Sequence, residues 1–495
     1  MDNMSRTIHI SNGNIVLQTR PLHFAQSLTI IDGRVADIDA DAPFDSDLID
    51  LHGKTALPGF IDSHLHLVQG ASGMGDFDLS GIHSKEEFQS VLLEEHAKIS
   101  EGSWLVGYGW NQEKLGGSPD KSWIPESISV PTLCYRIDFH SAVLNDIAIE
   151  CLPIKLIINE TGGDSIHEGI VKEDALYSFV CPEIPSIDIK NKCARTTSAL
   201  REFQSKGITL IGSMEELTDI NDVLTKLPLS TLMRIGVIAL DEPTKENIDR
   251  CLQFDDGDFI RVFGFKSFLD GSLGSRTAKM YEQWCDADGD GLWAGVAARD
   301  ELVHWITKVA SSGFAPVMHA IGDAAVGRGL DAILDIETTC CPRIEHAQFI
   351  SDNDIAKTKN IMFGVQPLHQ PDDVKIAKRA VGESREKLLH NWRRMLDAGA
   401  RLSFGSDWPV ANADPIAAMK IAIDQGLTFD EVLFASTEEA ALSLNMPLAG
   451  TLVLGSYGDV VVLDCNPYEC DWKTTQPQVC MTILDGSIVY EKEET

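Results

Sequence analysis

The chain has 495 residues, 44% of them hydrophobic, and carries 41 basic against 75 acidic residues, a formal net charge of −34. The apolar content is enough to bury a sizeable core, while the negative charge repels phosphate backbones and anionic lipid surfaces. We therefore expect neither nucleic acid nor a membrane as a partner.

The two ends of the chain share one pattern. Residues 1–57 alternate short apolar runs with turn signals, which is typical of short β-strands, and residues 446–495 resume the same pattern. Neither end holds enough apolar surface to fold alone, so we predict that the two segments pair into one small β-sandwich domain. The amino-terminal residues lack the apolar run of a secretory signal, and a cytoplasmic location is expected.

A short apolar run then ends in His64-Leu-His66. In a β-strand, residues two apart point to the same face, so both imidazoles would project side by side as two nitrogen ligands of one metal. An isolated pair of this kind also occurs in surface loops and by chance. The pair therefore predicts a metal site only if other ligands join it.

The middle of the chain alternates strands and helices. Including the run that ends at His66, eight apolar runs precede longer helical patterns, which favours a parallel sheet and a (β/α)8 barrel over residues 58–445. The interval of about 67–195 is too long for one connection, so we interpret it as an inserted subdomain over the barrel mouth. The predicted fold class is α/β, with the inserted subdomain after barrel strand 1.

Four further polar residues end otherwise apolar runs: Lys266, His319, His346 and Asp407. The carboxyl ends of barrel strands form the catalytic face of such folds, so these side chains should meet His64 there. Alternatives remain open for each of them. The two histidines could be satisfied core residues, Lys266 could pair with Asp407, and Asp407 could cap the following helix.

Several motifs together resemble the amidohydrolase superfamily, in particular its branch containing N-substituted formamide deformylase and YtcJ-like metal-dependent hydrolases. The resemblance covers nearly the whole chain, and the motifs that carry it are His64-Leu-His66, residues 107–111, 136–145 and 265–278, His319-Ala-Ile-Gly-Asp323, Arg343-Ile-Glu-His-Ala-Gln348 and Gly405-Ser-Asp-Trp-Pro409. The resemblance implies an enzyme that hydrolyses carbon–nitrogen bonds other than peptide bonds.

The resemblance also implies a cofactor set. Two divalent metal ions would be held by His64, His66, Lys266, His319, His346 and Asp407, with Lys266 carbamylated by carbon dioxide to bridge them. Imidazole ligands do not select among zinc, iron, nickel and manganese, and zinc is our default expectation. Such ions lower the pKa of water towards neutrality, and Asp407 would act as general base and then carry the proton to the departing nitrogen.

The expected substrate is a small-molecule amide, of N-formyl or N-acyl type. Candidate substrate-binding residues are Trp110, Asn111, His140, Arg276, Gln366 and Trp408. Arg276 could clamp an anionic substrate group or form a structural ion pair, and the acidic loop 286–291 could border the site. Asp62 and Glu345, next to ligand positions, could orient the ligands.

Two other readings of the chain compete with this one. In the first, the same fold is a mononuclear deaminase or esterase with unmodified Lys266. In the second, a non-catalytic protein keeps the fold, although competent residues occupy all six ligand positions. A homodimer is a common state for proteins of this kind.

Overall fold

A computed structural model describes residues 6–72, 77–100, 102–185, 187–254, 257–338 and 340–493. The strands are β1 Thr7–Thr19, β2 Leu22–Ile31, β3 Arg34–Ile38, β4 Asp47–Asp50, β5 Thr55–Pro58, β6 Phe60–Leu65, β7 Phe77–Asp78, β8 Leu105–Trp110, β9 Thr132–Arg136, β10 Ser141–Leu144, β11 Ile170–Lys172, β12 Ile208–Glu215, β13 Arg234–Ala239, β14 Ile260–Phe268, β15 Ala315–Ala320, β16 Arg343–His346, β17 Met362–Val365, β18 Arg401–Phe404, β19 Val460–Leu463, β20 Val479–Leu484 and β21 Ser487–Glu491.

The α-helices lie mainly between the strands of the barrel and within the insertion. They are α1 Leu67–Ser72, α2 Lys85–His96, α3 Gln112–Leu115, α4 Asp146–Glu150, α5 Ile154–Ile157, α6 Glu173–Ala175, α7 Ile189–Ser205, α8 Leu217–Asp222, α9 Lys245–Cys251, α10 Gly295–Ala298, α11 Leu302–Ser311, α12 Asp323–Leu334, α13 Gln370–Val381, α14 Glu383–Glu386, α15 Trp392–Asp397, α16 Pro415–Asp424, α17 Phe429–Ala435 and α18 Glu438–Ser443. No helix in the described ranges is long and apolar enough to cross a membrane.

Eight parallel strands form the barrel, in the order β6-β12-β13-β14-β15-β16-β17-β18. All eight strand predictions are therefore confirmed, as is the α/β fold class. Every residue of β12 is buried, as expected where helices and core cover both faces of a parallel sheet. The apolar residues of the strands and surrounding helices form the largest core of the molecule.

The barrel closes between its last and first strands. The backbone N–H of Asp407 donates to the carbonyl of His64 at 2.7 Å, and that of His66 donates to Trp408 at 2.9 Å. Gly405 permits this approach, since a Cβ there would lie 2.5 Å from the Cβ of His64. The closure places two predicted metal-binding segments side by side.

The two chain ends form one further sheet. Its order is β21-β20-β19-β5-β1-β2-β3, with β4 beside β1, and the two ends meet where β5 pairs antiparallel with β19. Isoleucine, leucine and valine side chains from both ends bury each other beneath it. The predicted small β-domain from both ends is thus present, and its limits at residues 57 and 446 stay predictions.

The insertion after the first barrel strand contains its own five-stranded sheet, in the order β11-β10-β9-β8-β7. It lies between β6 and β12 in the sequence, where the over-long connection predicted it. Arg136 at the end of β9 contacts the loop that follows β14, where a Cβ on Gly274 would lie 2.2 Å from its guanidinium. The glycine therefore allows the insertion to pack against the barrel rim.

Candidate metal centre and active site

The six predicted ligand residues lie at the carboxyl ends of five barrel strands. His64 is in β6 with His66 just beyond it, Lys266 is in β14, His319 is in β15, His346 ends β16, and Asp407 follows β18. Five of them are buried residues, and the His66 side chain is 17% exposed. Strand alternation and barrel closure thus bring residues up to 343 positions apart to one face.

Three of these side chains form the tightest group. Ligand atoms of His64, His346 and Asp407 all lie within 4.8 Å of one another, so these residues can hold a metal ion. Nε2 of His64 is 3.3 Å from both Oδ1 of Asp407 and Nζ of Lys266, and Nε2 of His66 is 3.5 Å from the same Asp407 oxygen. His66 and Lys266 therefore border the same group.

His319 adjoins this group through its ring. Its centroid lies 4.4 Å from that of His346, and its Nε2 donates to the carbonyl of Gly271 at 3.1 Å. That hydrogen bond leaves Nδ1 as the nitrogen free to bind a ligand. The loop after β14 thereby sets both the position of this ring and the nitrogen that it presents.

The electrostatics of the centre favour neutral ligand nitrogens. Burial, with the nearby Lys266, lowers the pKa of His66 to about 3, and burial holds the pKa values of His319 and His346 well below their usual range. Burial also lowers the pKa of Lys266, against the attraction of Asp407 and Glu345. Neutral imidazole is the form that binds metal, and a neutral amine is the form that can react with carbon dioxide.

Two buried nitrogens in the centre fit a metal-binding role. Nδ1 of His66 and Nδ1 of His346 have no hydrogen-bond partner in the described part of the chain, although both are buried. Buried polar groups in folded proteins are normally satisfied, so such atoms indicate a missing partner. The donor set of imidazoles, one amine and one carboxylate suits zinc or a similar divalent ion.

A carboxylate behind His64 orients its ring. Nδ1 of His64 lies 2.5 Å from Glu345, which also pairs with Arg343 at 2.7 Å. Burial opposes the charge on Glu345, but Arg343 and His64 outweigh it and lower the pKa of Glu345 to about 2. The predicted orienting role fits this contact. Asp62 acts on the backbone instead, accepting N–H groups of His64 and Ser406 at 3.2 and 2.9 Å.

The backbone is strained at two ligands. His346 has φ of 71° and Asp407 has φ of 59°, in the left-handed region that non-glycine residues rarely adopt. Each such residue costs roughly 1–3 kcal/mol. Strain of this kind concentrates at functional sites, because the surrounding structure holds a side chain in a direction that a relaxed strand end would not give.

A cavity of about 1260 Å³ opens between the barrel rim and the insertion. His66 and Lys266 border it from the barrel, and His140 borders it from the insertion, together with aromatic side chains such as Tyr135 and Phe268. The cavity is large enough for a small organic molecule. A molecule bound in it would lie between the candidate metal ligands and the insertion.

The six predicted substrate-binding residues have different surroundings, and His140 is the one that borders this cavity. The Trp110 indole donates to the carbonyl of Cys134 at 2.7 Å, and Asn111 caps α3. Gln366 is buried and donates to the carbonyl of Gly364, while the Trp408 ring packs 5.2 Å from that of Phe203.

Arg276 forms the ion pair that was one of its two predicted alternatives. Its guanidinium contacts both oxygens of Asp286 at 2.8 and 2.7 Å, and Arg379 binds the same carboxylate. Asp290 pairs with Lys279 at 2.6 Å. The acidic loop 286–291 is therefore held by ion pairs, outside the lining of the cavity.

Two polar residues near the centre escaped the sequence analysis. Nε2 of His369 lies 3.9 Å from Oδ2 of Asp407, and its ring stacks on that of His346 with centroids 6.5 Å apart. Glu173, in the insertion, accepts from His140 at 2.9 Å. His369 lies in a short turn beyond β17, and its position three residues after Gln366 was the one signal available.

Comparison with known proteins adds a family, two relatives and a solved structure to which this chain is similar. A model of the amidohydrolase family matches residues 47–490. The chain is 28% identical to Protein LONG AFTER FAR-RED 3 of Arabidopsis thaliana over 97% of this chain and 91% of that protein, and 23% identical to N-substituted formamide deformylase of Arthrobacter pascens over 98% and 99%. A solved uncharacterized metal-dependent hydrolase of Pyrococcus horikoshii matches with a TM-score of 0.74 and 26% identity, covering 94% of this chain and 99% of that one.

Proposed function

Because this chain belongs to the amidohydrolase family, as its motifs predicted, we propose that it hydrolyses the C–N bond of a small-molecule amide of N-formyl or N-acyl type. Its family and the metal-dependent hydrolases that share its fold make it a hydrolase. One observation carries the proposal: four imidazoles, Lys266 and Asp407 converge beside one cavity. The similarity to a protein named N-substituted formamide deformylase supports amide chemistry in particular.

Two divalent ions, zinc by default, would be held by the six residues predicted as ligands. When bound, they supply a polarised scissile carbonyl and a water of lowered pKa. In its unprotonated form, Nζ of Lys266 would add to carbon dioxide and lose a proton, which converts the amine into a carbamate that could serve as a metal ligand. Its burial and its 3.3 Å contact with Nε2 of His64 support that assignment.

Asp407 would move the proton. Although burial raises the pKa of Asp407, the imidazoles of His64, His346 and His369 around its oxygens outweigh burial and hold that pKa well below its usual range, so Asp407 is a carboxylate at neutral pH. It can therefore accept a proton from water at the centre and donate it to the departing nitrogen. Nε2 of His64 and Nε2 of His66 lie 3.3 and 3.5 Å from Oδ1 of Asp407, which keeps this carboxylate beside the candidate ligands.

A mononuclear deaminase or esterase is the second candidate. The tightest ligand group contains three residues, His64, His346 and Asp407, which is enough for one ion. In that case Lys266 would stay an amine. The number of metal ions per chain separates the two candidates.

The test is metal content per chain, measured by elemental analysis of protein purified without chelator, with and without bicarbonate. We expect about two ions in the wild type and fewer in Lys266→Ala, with bicarbonate raising the content of the wild type alone. Lys192→Ala is the matched control, because Lys192 borders the same cavity but pairs with Asp219 at 2.7 Å. One ion per chain, indifferent to Lys266, would contradict the binuclear centre. Absence of turnover by zinc-loaded protein on N-formyl and N-acyl amides would contradict the amide substrate.

A further inference from the structure

The insertion places a hydrogen-bonded pair at the edge of the metal centre. Nδ1 of His140 lies 2.9 Å from Oε2 of Glu173, and the backbone N–H of Glu173 donates to the carbonyl of His140 at 3.2 Å. Their side chains are 12% and 3% exposed. Residues 33 positions apart are therefore joined through both side chain and backbone, which leaves the imidazole little rotational freedom.

The turn that carries His140 is anchored to the barrel. Asp138 accepts from the hydroxyls of Ser272 and Ser275 and pairs with Arg136 at 2.7 Å, and the His140 N–H donates to Asp138 at 3.2 Å. The two serines belong to the loop after β14, the strand that carries Lys266. These contacts fix the position of the insertion relative to β14.

The His140 ring faces the centre. Its centroid lies 5.0 Å from that of His319 and 6.4 Å from that of Phe268, and its side chain borders the cavity with His66 and Lys266. Because Glu173 occupies Nδ1, Nε2 is the nitrogen left for another group. It has no hydrogen-bond partner among the described residues.

We propose that Nε2 of His140 donates a hydrogen bond to the carbonyl oxygen of the reacting amide group, and that Glu173 is the positioning residue that holds its ring. The proposal rests on the proposed function and adds a substrate contact from outside the barrel. Because Glu173 already holds the His140 ring, the ring loses little rotational freedom when a substrate binds. Positioning of this kind has its largest effect where the positioned side chain contacts the reacting atoms. His140 would accordingly be a catalytic residue and Glu173 its support.

The first test compares steady-state kinetics on an amide that the wild type hydrolyses. We expect His140→Ala to lower kcat/KM about 100-fold, as the loss of one positioned hydrogen bond at a reacting group does, without changing metal content. Added imidazole should restore part of the activity by filling the vacated space. His167→Ala is the matched control, because this histidine lies exposed in the same insertion. A kcat/KM of His140→Ala within twofold of the wild type would overturn the proposal.

Glu173 is tested by its conservative variant. Glu173→Gln keeps an oxygen that can accept from Nδ1, whereas Glu173→Leu does not. We expect Glu173→Gln to retain most of the activity. We expect Glu173→Leu to lower kcat/KM about as much as His140→Ala does, but without rescue by imidazole, because the His140 ring still fills that space. Equal effects of both substitutions would point to packing alone and overturn the positioning role.

A binding measurement separates this proposal from the proposed function. Acetate, the carboxylate product of an N-acetyl amide, is titrated calorimetrically into zinc-loaded wild type, His140→Ala and His167→Ala. We expect at least fivefold weaker binding for His140→Ala alone. If the wild type hydrolyses no amide but acetate binding depends on His140, the proposed function fails and the contact stands. If acetate binds equally to all three, the contact is overturned whatever the activity.

Discussion

The two ends of the barrel both bury charged residues, but they satisfy them differently. At the amino-terminal end, Arg234 is fully buried and contacts Asp459 at 2.6 Å, Asp485 at 3.1 Å and the carbonyl of Asp258 at 2.9 Å. Its guanidinium also lies over the ring of Tyr457, 3.6 Å from the centroid. Every part of this cation has a partner, and the partners join the barrel to the terminal sheet.

At the carboxyl-terminal end, the partners are incomplete. Ring nitrogens of His66 and His346 lack a partner in the described structure, and the backbone is strained at His346 and Asp407. Burial there also lowers the pKa values of the His66 and His346 imidazoles and so disfavours their charged forms. The charge of Arg234, by contrast, is kept and compensated by carboxylates. The difference indicates that the amino-terminal cluster stabilises the fold, whereas the donor set of the carboxyl-terminal cluster is suited to holding a metal ion.

The largest effect is expected from Asp407→Asn. The amide cannot accept the proton that the mechanism assigns to Asp407, so kcat should fall about 10³-fold or more, which corresponds to roughly 4 kcal/mol in activation free energy. Steady-state kinetics of the zinc-loaded variant and wild type measure this decrease in kcat. Asp188→Asn, at the exposed cap of α7, is the control and should keep full activity. Retention of more than a tenth of wild-type kcat would remove Asp407 from the proton pathway.

Arg234→Met should have the next largest effect, on stability instead of chemistry. It leaves Asp459 buried without its cation, and breaking such a pair costs about 3–5 kcal/mol. Urea denaturation measures the free energy of unfolding, and metal content per folded chain should not change. Arg379→Ala provides the comparison, because its exposed ion pairs are worth about 0–1 kcal/mol. An equal decrease in the free energy of unfolding in the two variants would show that the buried Arg234 cluster stabilises the fold no more than an exposed ion pair does.

Glu345→Gln should have the smallest of the three effects. Glu345 lies beside a candidate ligand, but like the residues around Arg234 it also forms an ion pair with a buried arginine. Glu345 contacts the candidate ligand His64 on one side and forms an ion pair with Arg343 on the other. Losing such an orienting carboxylate weakens metal binding about 10–100-fold. Competition with a chelator of known affinity measures this change. An unchanged affinity would show that Glu345 serves only to neutralise Arg343.

Much of this organisation was predictable from local patterns. The eight barrel strands are apolar runs followed by helical patterns, and the six polar residues at run ends were correctly placed together at the carboxyl-terminal face of the barrel. Such features depend on strand periodicity and chain order, which are local properties of the sequence. The insertion was predictable for a simpler reason, since one connection was too long for a barrel.

Other contacts depended on the folded chain. Trp110 and Trp408 were candidates because they lie in the insertion and in a βα loop, and only the folded chain shows that they contact Cys134 and Phe203. His369 and Glu173 carry no periodic signal, because each lies in a short turn or helix whose direction is set by tertiary contacts. Arg276 had two alternatives in the sequence, and only the position of Asp286 in space selected the ion pair.

By itself the sequence determined the fold class, the strands that carry polar residues and the identity of the six candidate ligands, because a strand end places its side chains by period and direction alone. Only the tertiary structure decided which nitrogen of each histidine remains free, which charges are compensated and which insertion residue faces the cavity. Those properties depend on atoms within about 4 Å that lie tens to hundreds of residues away in the chain, and no local pattern records them.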